Sequence, residues 1–328
     1  MRAAQLTRLD GPDAVEVVEV DEPSGDGVVV EVHAAGAAFP DALLTRGLYQ
    51  YKPDPPFVLG AEIAGVVRSA PDDAHVRPGD RVVGLTMLTG GMAEVAVLAP
   101  DRVFKLPDNV SFTAGAGLLF NDLTMYFALT VRGRLQSGET VLVHGAAGGI
   151  GTSTLRLAPV LGASRVIAVV STEDKAEIAT AAGATDVVLA DGFKDAAKEL
   201  TNGRGVDMVV DPVGGDRFTD SLRSLAPGGR LLVIGFTAGE IPTVKVNRLL
   251  LNNIDVVGVG WGAWAGTHPD ALSEQWAGVE PLLASGRLAP PEPVVYPLEE
   301  AAAASEKEQA EDKALALAPI LAASPMIA

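Results

Sequence analysis

Residues 140–163, TVLVHGAAGGIGTSTLRLAPVLGA, decide the fold of this chain. A short apolar run, Thr140–His144, leads into the glycine-rich loop GAAGGIG and then into a stretch with helical character. Strand, glycine loop and helix in this order form the first unit of a dinucleotide-binding fold, in which the helix N-terminus faces the pyrophosphate.

Small residues occupy three key positions of this loop, Ala146, Gly148 and Gly151. In such a loop the first allows a sharp turn, the second lets backbone amides approach the pyrophosphate, and the third allows the helix to pack closely. We therefore assign to the cofactor the loop residues Ala147, Gly148, Gly149, Ile150 and Gly151. Pro159 removes a helical hydrogen bond further on and predicts a kink or an early end of the helix.

Apolar runs alternate with helix-like stretches from about residue 121 onward. The runs are TVLVH, RVIAVV, DVVLA, DMVVD, RLLVIG and DVVGV. Strands that alternate with helices at this spacing form βαβ units, so the sequence predicts an α/β fold with a doubly wound parallel sheet.

The first part of the chain has a different residue pattern. Residues 28–35, 62–68 and 81–84 are short β-branched runs separated by Gly, Pro and Asp, which predicts a twisted antiparallel β domain. The Pro-rich segment near Pro290 shows the same residue pattern as the first part of the chain. We therefore predict one domain from residues 1–120 and 291–328, with a second domain, residues 121–290, inserted in it.

Charge and composition exclude several classes of partner. The formal net charge of −17 repels nucleic acid and anionic membrane surfaces, and no run approaches the ~20 apolar residues that span a bilayer. The N-terminal segment has no apolar signal region. We expect a soluble cytoplasmic protein that binds neither nucleic acid nor membranes. The chain has no cysteine and therefore no thiolate ligand for zinc.

The residues at the end of the second strand, RVIAVV, and just after it indicate which nicotinamide cofactor the chain binds. Val170 stands about where NAD enzymes place the acid that binds the ribose 2′-hydroxyl, and no carboxylate is present there. Ser171 and Lys175 follow and suit a 2′-phosphate, which favours NADPH. The alternative is that Ser171 caps the next helix and Lys175 is a solvated surface residue.

Several segments, in order, resemble the quinone oxidoreductase branch of the medium-chain dehydrogenase/reductase superfamily. They are AAGAAFPDALLTRGLYQ, PFVLGAEIAGVV, RPGDRV, HGAAGGIG, GVDMVVDPVGGDRF, LAPGGRLLVIGF and LLLNNIDVVGVGWGA. The resemblance implies a GroES-like catalytic domain, a Rossmann-type NADPH-binding domain and a homodimer. The apolar run Ile254–Val259 would be the edge strand that pairs between subunits.

The zinc alcohol dehydrogenases of the same superfamily have Gly-His-Glu where this chain has Gly60-Ala61-Glu62. The zinc-ligand histidine and all cysteine ligands are therefore absent, and the remaining histidines are scattered along the sequence. We expect a reductase that delivers hydride from NADPH directly to a quinone or an α,β-unsaturated carbonyl, without metal.

The resemblance also implies the catalytic residues. Tyr49 corresponds to a pocket tyrosine that can donate to the product oxyanion, although packing at the domain interface is an equal alternative. Thr124 and Asn121 match the segment where nicotinamide and substrate meet, and Asn121 is equally suited to cap a helix. Gly235 and Phe236 end a later strand near the nicotinamide.

Trp261 follows the strand DVVGVG and either lines the pocket or belongs to the core.

Two features depart from the family. Ala38 replaces a common pocket asparagine, and the tail DKALALAPILAASPMIA reads as a helix or irregular segment where the family has a closing strand.

Two other functions stay open from the sequence. An enoyl-thioester reductase on the same scaffold needs cations for a phosphopantetheine ligand, and Lys52, Arg46 and Arg248 are few and dispersed. A nucleotide-binding relative without turnover is the second, because Ala38 removes one pocket hydrogen bond.

Overall fold

The computed structural model describes residues 1–311 and 315–318, and the side chains up to Glu306. The chain forms two units. The first contains Met1–Phe120 and the described residues from Pro290 onward, and the second contains Asn121–Ala289.

Short strands, mostly antiparallel, build the first unit. They are β1 (Arg2–Leu6), β2 (Val15–Glu19), β3 (Val28–Ala37), β4 (Phe57–Val58), β5 (Glu62–Ser69), β6 (Arg81–Leu85), β7 (Val95–Leu98), β8 (Val103–Lys105), and, after the second unit, β15 (Val294–Pro297) and β16 (Leu315–Ala318). One sheet has the order β15-β16-β3-β5-β6-β8, with β7 also paired to β3, and the other has the order β2-β1-β4. Alternate residues of β3 face the core, so Val28, Val30 and Val32 are buried.

Helices of the first unit are short. They are α1 (Phe39–Leu44), α2 (Phe112–Gly115) and α11 (Ala301–Glu311), with 3₁₀ turns at Pro12–Ala14, Pro100–Arg102 and Leu298–Glu300. Helix α1 begins directly after β3 and has Pro40 in its first turn, a position that suits proline because the missing N–H has no helical partner there.

The C-terminal tail corrects the sequence prediction. Leu315–Ala318 forms β16, which is parallel to β15 and antiparallel to β3, where Leu315 pairs with Ala37. The expectation of a helix or irregular segment is wrong for these residues, because the edge of β3 supplies backbone partners and Leu alternates with Ala at the period of a strand. The rest of the predicted tail lies outside the described residues.

A six-stranded parallel sheet forms the centre of the second unit. Its strands are β9 (Thr140–Val143), β10 (Arg165–Val170), β11 (Asp186–Leu189), β12 (Val206–Asp211), β13 (Leu225–Val233) and β14 (Asp255–Gly258). Their order is β11-β10-β9-β12-β13-β14. The predicted α/β fold with a doubly wound parallel sheet is confirmed, and it follows from apolar runs that are buried on both faces, such as β12.

Helices connect these strands. They are α3 (Thr124–Tyr126), α4 (Gly149–Val160), α5 (Asp174–Ala181), α6 (Phe193–Leu200), α7 (Phe218–Ser224), α8 (Asn247–Asn252), α9 (Trp261–Ala265) and α10 (Ala271–Ala284). Two π-helical segments, Leu119–Leu123 and Phe127–Arg132, flank α3, and Gly215–Arg217 is a 3₁₀ turn. Helix α4 ends one residue after Pro159, as predicted. Within the described ranges, no helix is both long and apolar enough to cross a membrane.

Candidate functional site

The strand order reverses between β9 and β12, which lie side by side in the middle of the parallel sheet. In open α/β sheets the connections leave such a pair in opposite directions and open a crevice at the carboxyl ends of the strands. The glycine loop follows β9 and the turn 212–215 follows β12, so both lie at this crevice.

The glycine loop turns sharply at Gly145, which has a φ of 57°. The sharp turn was expected at Ala146 and lies one residue earlier, because only glycine adopts this left-handed backbone without strain. At Gly151 a Cβ atom would lie 2.2 Å from the Gly145 carbonyl oxygen, so helix α4 packs directly against the turn. The close approach expected at the third small residue is therefore present.

Amides at the start of α4 can bind an anion. Gly148 is the N-cap residue and its own amide donates to the Gly145 carbonyl oxygen at 3.0 Å. The amides of Gly149, Ile150 and Gly151 lie in the first helical turn, where no preceding turn supplies an acceptor. These amides and the positive end of the helix dipole suit a pyrophosphate.

Asn121 lies against this loop. A Cβ atom at Gly149 would be 2.7 Å from the Asn121 side-chain nitrogen, and the Asn121 carbonyl oxygen accepts from Ser153 Oγ at 3.4 Å. Asn121 lies inside a π-helical segment, and the N-cap residue of α3 is Leu123 with no side-chain hydrogen bond. The alternative in which Asn121 caps this helix is therefore wrong, and Thr124 is a buried residue at the start of α3.

An ion pair fixes the segment that contains Asn121 and Thr124. Arg156 of α4 donates to Asp122 Oδ1 at 2.8 Å, and the Asp122 side chain is only 1% exposed. Sequence reasoning missed this pair, because the two residues are 34 positions apart and no local pattern pairs them.

The residues predicted for the 2′-phosphate follow β10. Val170 ends the strand, Ser171 is exposed, and Lys175 lies half-buried in the first turn of α5. The N-cap residue of α5 is Glu173, so the alternative in which Ser171 caps this helix is wrong. Two exposed acids, Glu173 and Asp174, lie next to these residues.

The last predicted residues of this unit follow β13 and β14. Strand β13 ends at Val233, two residues before the Gly235 and Phe236 that were expected to end it. Phe236 is 39% exposed and lies over Gly214, where a Cβ atom would be 2.9 Å from the ring. Trp261 is buried, and its indole N–H donates to Gln275 Oε1 at 2.7 Å, which anchors the ring to α10.

Tyr49 belongs to the other unit, where it packs, partly buried, against the hydrophobic core. Burial, followed by the charge of Asp41, raises the pKa of the Tyr49 hydroxyl, so it stays a neutral donor at physiological pH. Sequence reasoning missed Asp41, which is fully buried and accepts from the amides of Ala38 at 2.9 Å and Gly60 at 3.2 Å. Burial outweighs these hydrogen bonds and raises the pKa of Asp41 to about 7. A carboxylate in the otherwise apolar stretch AAFPDALL was the signal available in the sequence.

Ala61, at the position of the zinc-ligand histidine, is buried and carries no ligand atom. The adjacent Glu62 accepts from the Phe120 amide at 3.0 Å. In the part of the chain that the structure describes, no three His, Asp or Glu side chains form a group that could hold a metal ion.

Two family profiles match the chain. The family described as "Alcohol dehydrogenase GroES-like domain" matches residues 24–108, and that described as "Zinc-binding dehydrogenase" matches residues 149–284. The chain is 40% identical over 266 residues to the quinone oxidoreductase-like protein 2 of Rattus norvegicus, a match that covers 80% of this chain and 76% of that protein.

Solved structures agree with these matches. The quinone oxidoreductase of Pseudomonas syringae has a TM-score of 0.86 and 32% identity, over 97% of this chain and 99% of that one. The quinone oxidoreductase of Escherichia coli, solved as a complex with NADPH, has a TM-score of 0.84 and 29% identity, over 97% of this chain and 100% of that one.

Proposed function

Because this chain belongs to the quinone oxidoreductase branch of the medium-chain dehydrogenase/reductase family, we propose that it is an NADPH-dependent reductase of quinones or α,β-unsaturated carbonyls. Bound NADPH supplies the hydride, and the protein contributes binding, orientation and hydrogen-bond donors. The alternatives are an enoyl-thioester reductase and a relative that binds the nucleotide without turnover.

The glycine loop at the crevice between β9 and β12 carries this proposal. The close contact of Gly151 with Gly145 leaves no room for a side chain and brings the first turn of α4 to the crevice. The amides of Gly149, Ile150 and Gly151 would hold the pyrophosphate. Asn121, which lies against Gly149, would contact the part of the cofactor that lies beyond the pyrophosphate. Phe236 beside Gly214 and Trp261 near α10 are further proposed contacts of the cofactor.

NADPH, rather than NADH, is proposed from the residues that follow β10. Val170 offers no carboxylate to repel a 2′-phosphate, and Ser171 and Lys175 would donate to it. Charge-assisted hydrogen bonds contribute roughly 1.5–3 kcal/mol, so Lys175→Ala should weaken NADPH binding about ten- to a hundredfold and leave NADH unchanged.

A fluorescence titration of both cofactors tests this assignment. Lys198→Ala removes the same charge from an exposed position on α6 and should leave both affinities unchanged. The double change Val170→Asp with Lys175→Ala should reverse the preference, because a carboxylate repels the phosphate and accepts from the free ribose hydroxyls. Equal binding of NADH and NADPH to the wild-type protein would refute the cofactor assignment.

The electrophile needs a donor where negative charge develops. We assign this role to the hydroxyl of Tyr49, which stays protonated at physiological pH because burial raises its pKa. Thr124, buried at the start of α3, is the second proposed donor.

A single screen separates the three candidate functions. Loss of NADPH absorbance is followed with small quinones, alkenals and enoyl-CoA esters. Turnover of quinones or alkenals supports the proposed reductase, and a clear preference for the enoyl-CoA esters supports the thioester reductase. Tight NADPH binding without oxidation by any substrate indicates a relative without turnover.

We also propose a homodimer. Strand β14 is the last strand in the order of the parallel sheet and pairs only with β13 among the described strands. Val256 and Val257 make this edge strand apolar. The unpaired edge of such a strand can pair with the same strand of a second copy of the chain. A monomeric mass by light scattering at micromolar concentration would contradict this proposal.

A further inference from the structure

A buried polar cluster, formed by His144, Asp211 and Ser221, lies beneath the crevice of the second unit. His144 directly follows β9, and Asp211 is the last residue of β12, the neighbouring parallel strand. The side chains of His144 and Ser221 are fully buried, and that of Asp211 is only 2% exposed. None of the three has a role in the hydride transfer proposed above.

Hydrogen bonds connect His144 to the start of α7. Ser221 Oγ lies 2.8 Å from His144 Nε2 and 3.1 Å from the Arg217 carbonyl oxygen, and its single hydrogen can serve only one of these contacts. Burial lowers the pKa of His144 to about 4 although the charge of Asp211 raises it, so the imidazole is neutral at pH 7.

Asp211 organises the turn that follows β12. Its Oδ1 atom accepts from the amides of Val213 and Gly214, both at 2.9 Å. A Cβ atom at Gly145 would lie 3.3 Å from Val213 Cγ2, so this turn packs against the glycine turn. Asp211 therefore sets the conformation of a turn that packs against the glycine turn.

Only one oxygen of the buried Asp211 side chain has hydrogen-bond partners among the described residues. Its Oδ2 atom and His144 Nδ1 are both buried without a hydrogen-bond partner in the described part of the chain. A buried polar atom without a partner destabilises the folded state, so an apolar residue would be more favourable in this part of the core. The role of the carboxylate is explained by its other oxygen, Oδ1, which accepts hydrogen bonds from the amides of the turn.

We propose that Asp211 is a positioning residue for the dinucleotide, because it holds the turn 212–215 at the crevice. The inference rests on the proposed binding of NADPH. The turn would form the second side of the crevice, opposite the glycine loop, and its position would set the affinity for the cofactor without entering the hydride transfer.

Two substitutions of similar size test this role. Asp211→Asn keeps one side-chain oxygen that can accept from both amides, whereas Asp211→Leu keeps none. We expect Asp211→Leu to raise the Kd for NADPH at least tenfold with kcat at saturating NADPH within threefold of wild type, and Asp211→Asn to restore both values to within about threefold. Asp220→Leu removes a carboxylate that pairs with Arg223 on the surface of α7 and should change neither value.

Hydrogen exchange on the wild-type protein gives a test that does not depend on the folding of a variant. Addition of NADPH should slow exchange of the amides of Val213, Gly214 and Gly215, which are the residues of the turn that carry an amide hydrogen. Unchanged exchange there, an unchanged Kd in Asp211→Leu, or a fall in kcat alone would overturn the inference. Failure of the wild-type protein to bind NADPH would instead refute the proposed function.

Discussion

Removal of Arg156 should destabilise the second unit strongly. Its guanidinium lies 2.8 Å from Asp122 Oδ1, and the two side chains are 11% and 1% exposed. Loss of one partner of a buried ion pair costs about 3–5 kcal/mol, because the remaining charge stays buried and unpaired. Arg156→Met keeps most of the apolar stem and removes the charge. In a domain of this size 1 kcal/mol shifts Tm by roughly 2–4 °C, so the expected fall is about 6–20 °C.

The double variant Arg156→Met with Asp122→Leu separates the charge effect from packing. Asp122 Oδ2 and Arg156 Nε have no hydrogen-bond partner within the described residues, so the pair is incompletely satisfied. An apolar replacement of such a pair is often neutral or stabilising, and the double variant should return to within about 1 kcal/mol of wild type.

Thermal and urea unfolding followed by circular dichroism measure both effects. Arg223→Met breaks an exposed pair with Asp220 at 2.9 Å and serves as the control, with an expected cost below about 1 kcal/mol. The reasoning is refuted if Arg156→Met costs less than 1 kcal/mol, or if the double variant is as unstable as the single one.

Further predictions follow from the two units. Tyr49→Phe should lower kcat/KM about two- to tenfold with the Kd for NADPH unchanged, since one neutral donor is worth roughly 0.5–1.5 kcal/mol, and an unchanged rate would assign Tyr49 to packing. Gly151→Ala should cost at least about 2 kcal/mol and weaken NADPH binding, because its Cβ atom would lie 2.2 Å from a backbone oxygen. Gly262→Ala, with nothing within 4 Å of its Cβ position, should stay within about 1 kcal/mol in the same unfolding assay. The pKa of Asp41 is raised from 3.8 to about 7, so the folded chain keeps a proton that the unfolded chain releases. The free energy of unfolding should therefore fall as the pH rises through this window, and a pH series on Asp41→Asn should show a flatter profile. Activity should persist in chelator, because the chain has no cysteine and has alanine in place of the zinc-ligand histidine, and chelator-sensitive turnover would contradict this.

The strands of the parallel sheet could be predicted from the sequence, because each contains a short apolar run bounded by turn residues, and the central strands β9, β10 and β12 are buried on both faces. The turn at Gly145 was misplaced by one residue, since several small residues in a row fit the same loop and only the backbone conformation selects one. The strand Leu315–Ala318 was missed for a related reason. A short run of Leu and Ala suits a helix or a strand equally, and the free edge of β3 decides between them.

The sequence by itself determined the alternation of strands and helices in the second unit, the glycine loop and the absence of a cysteine or Gly-His-Glu zinc site, because each is a local pattern or a count of residues. The candidate role of Lys175 also rests on a local feature, its place just after β10. Only the tertiary structure decided which polar side chains are buried together. Asp122 meets Arg156 34 residues along the chain, and His144 meets Ser221 77 residues along. Such pairs depend on how elements pack, and most Asp, Arg and Ser side chains lie on the surface, so no local pattern marks the buried ones.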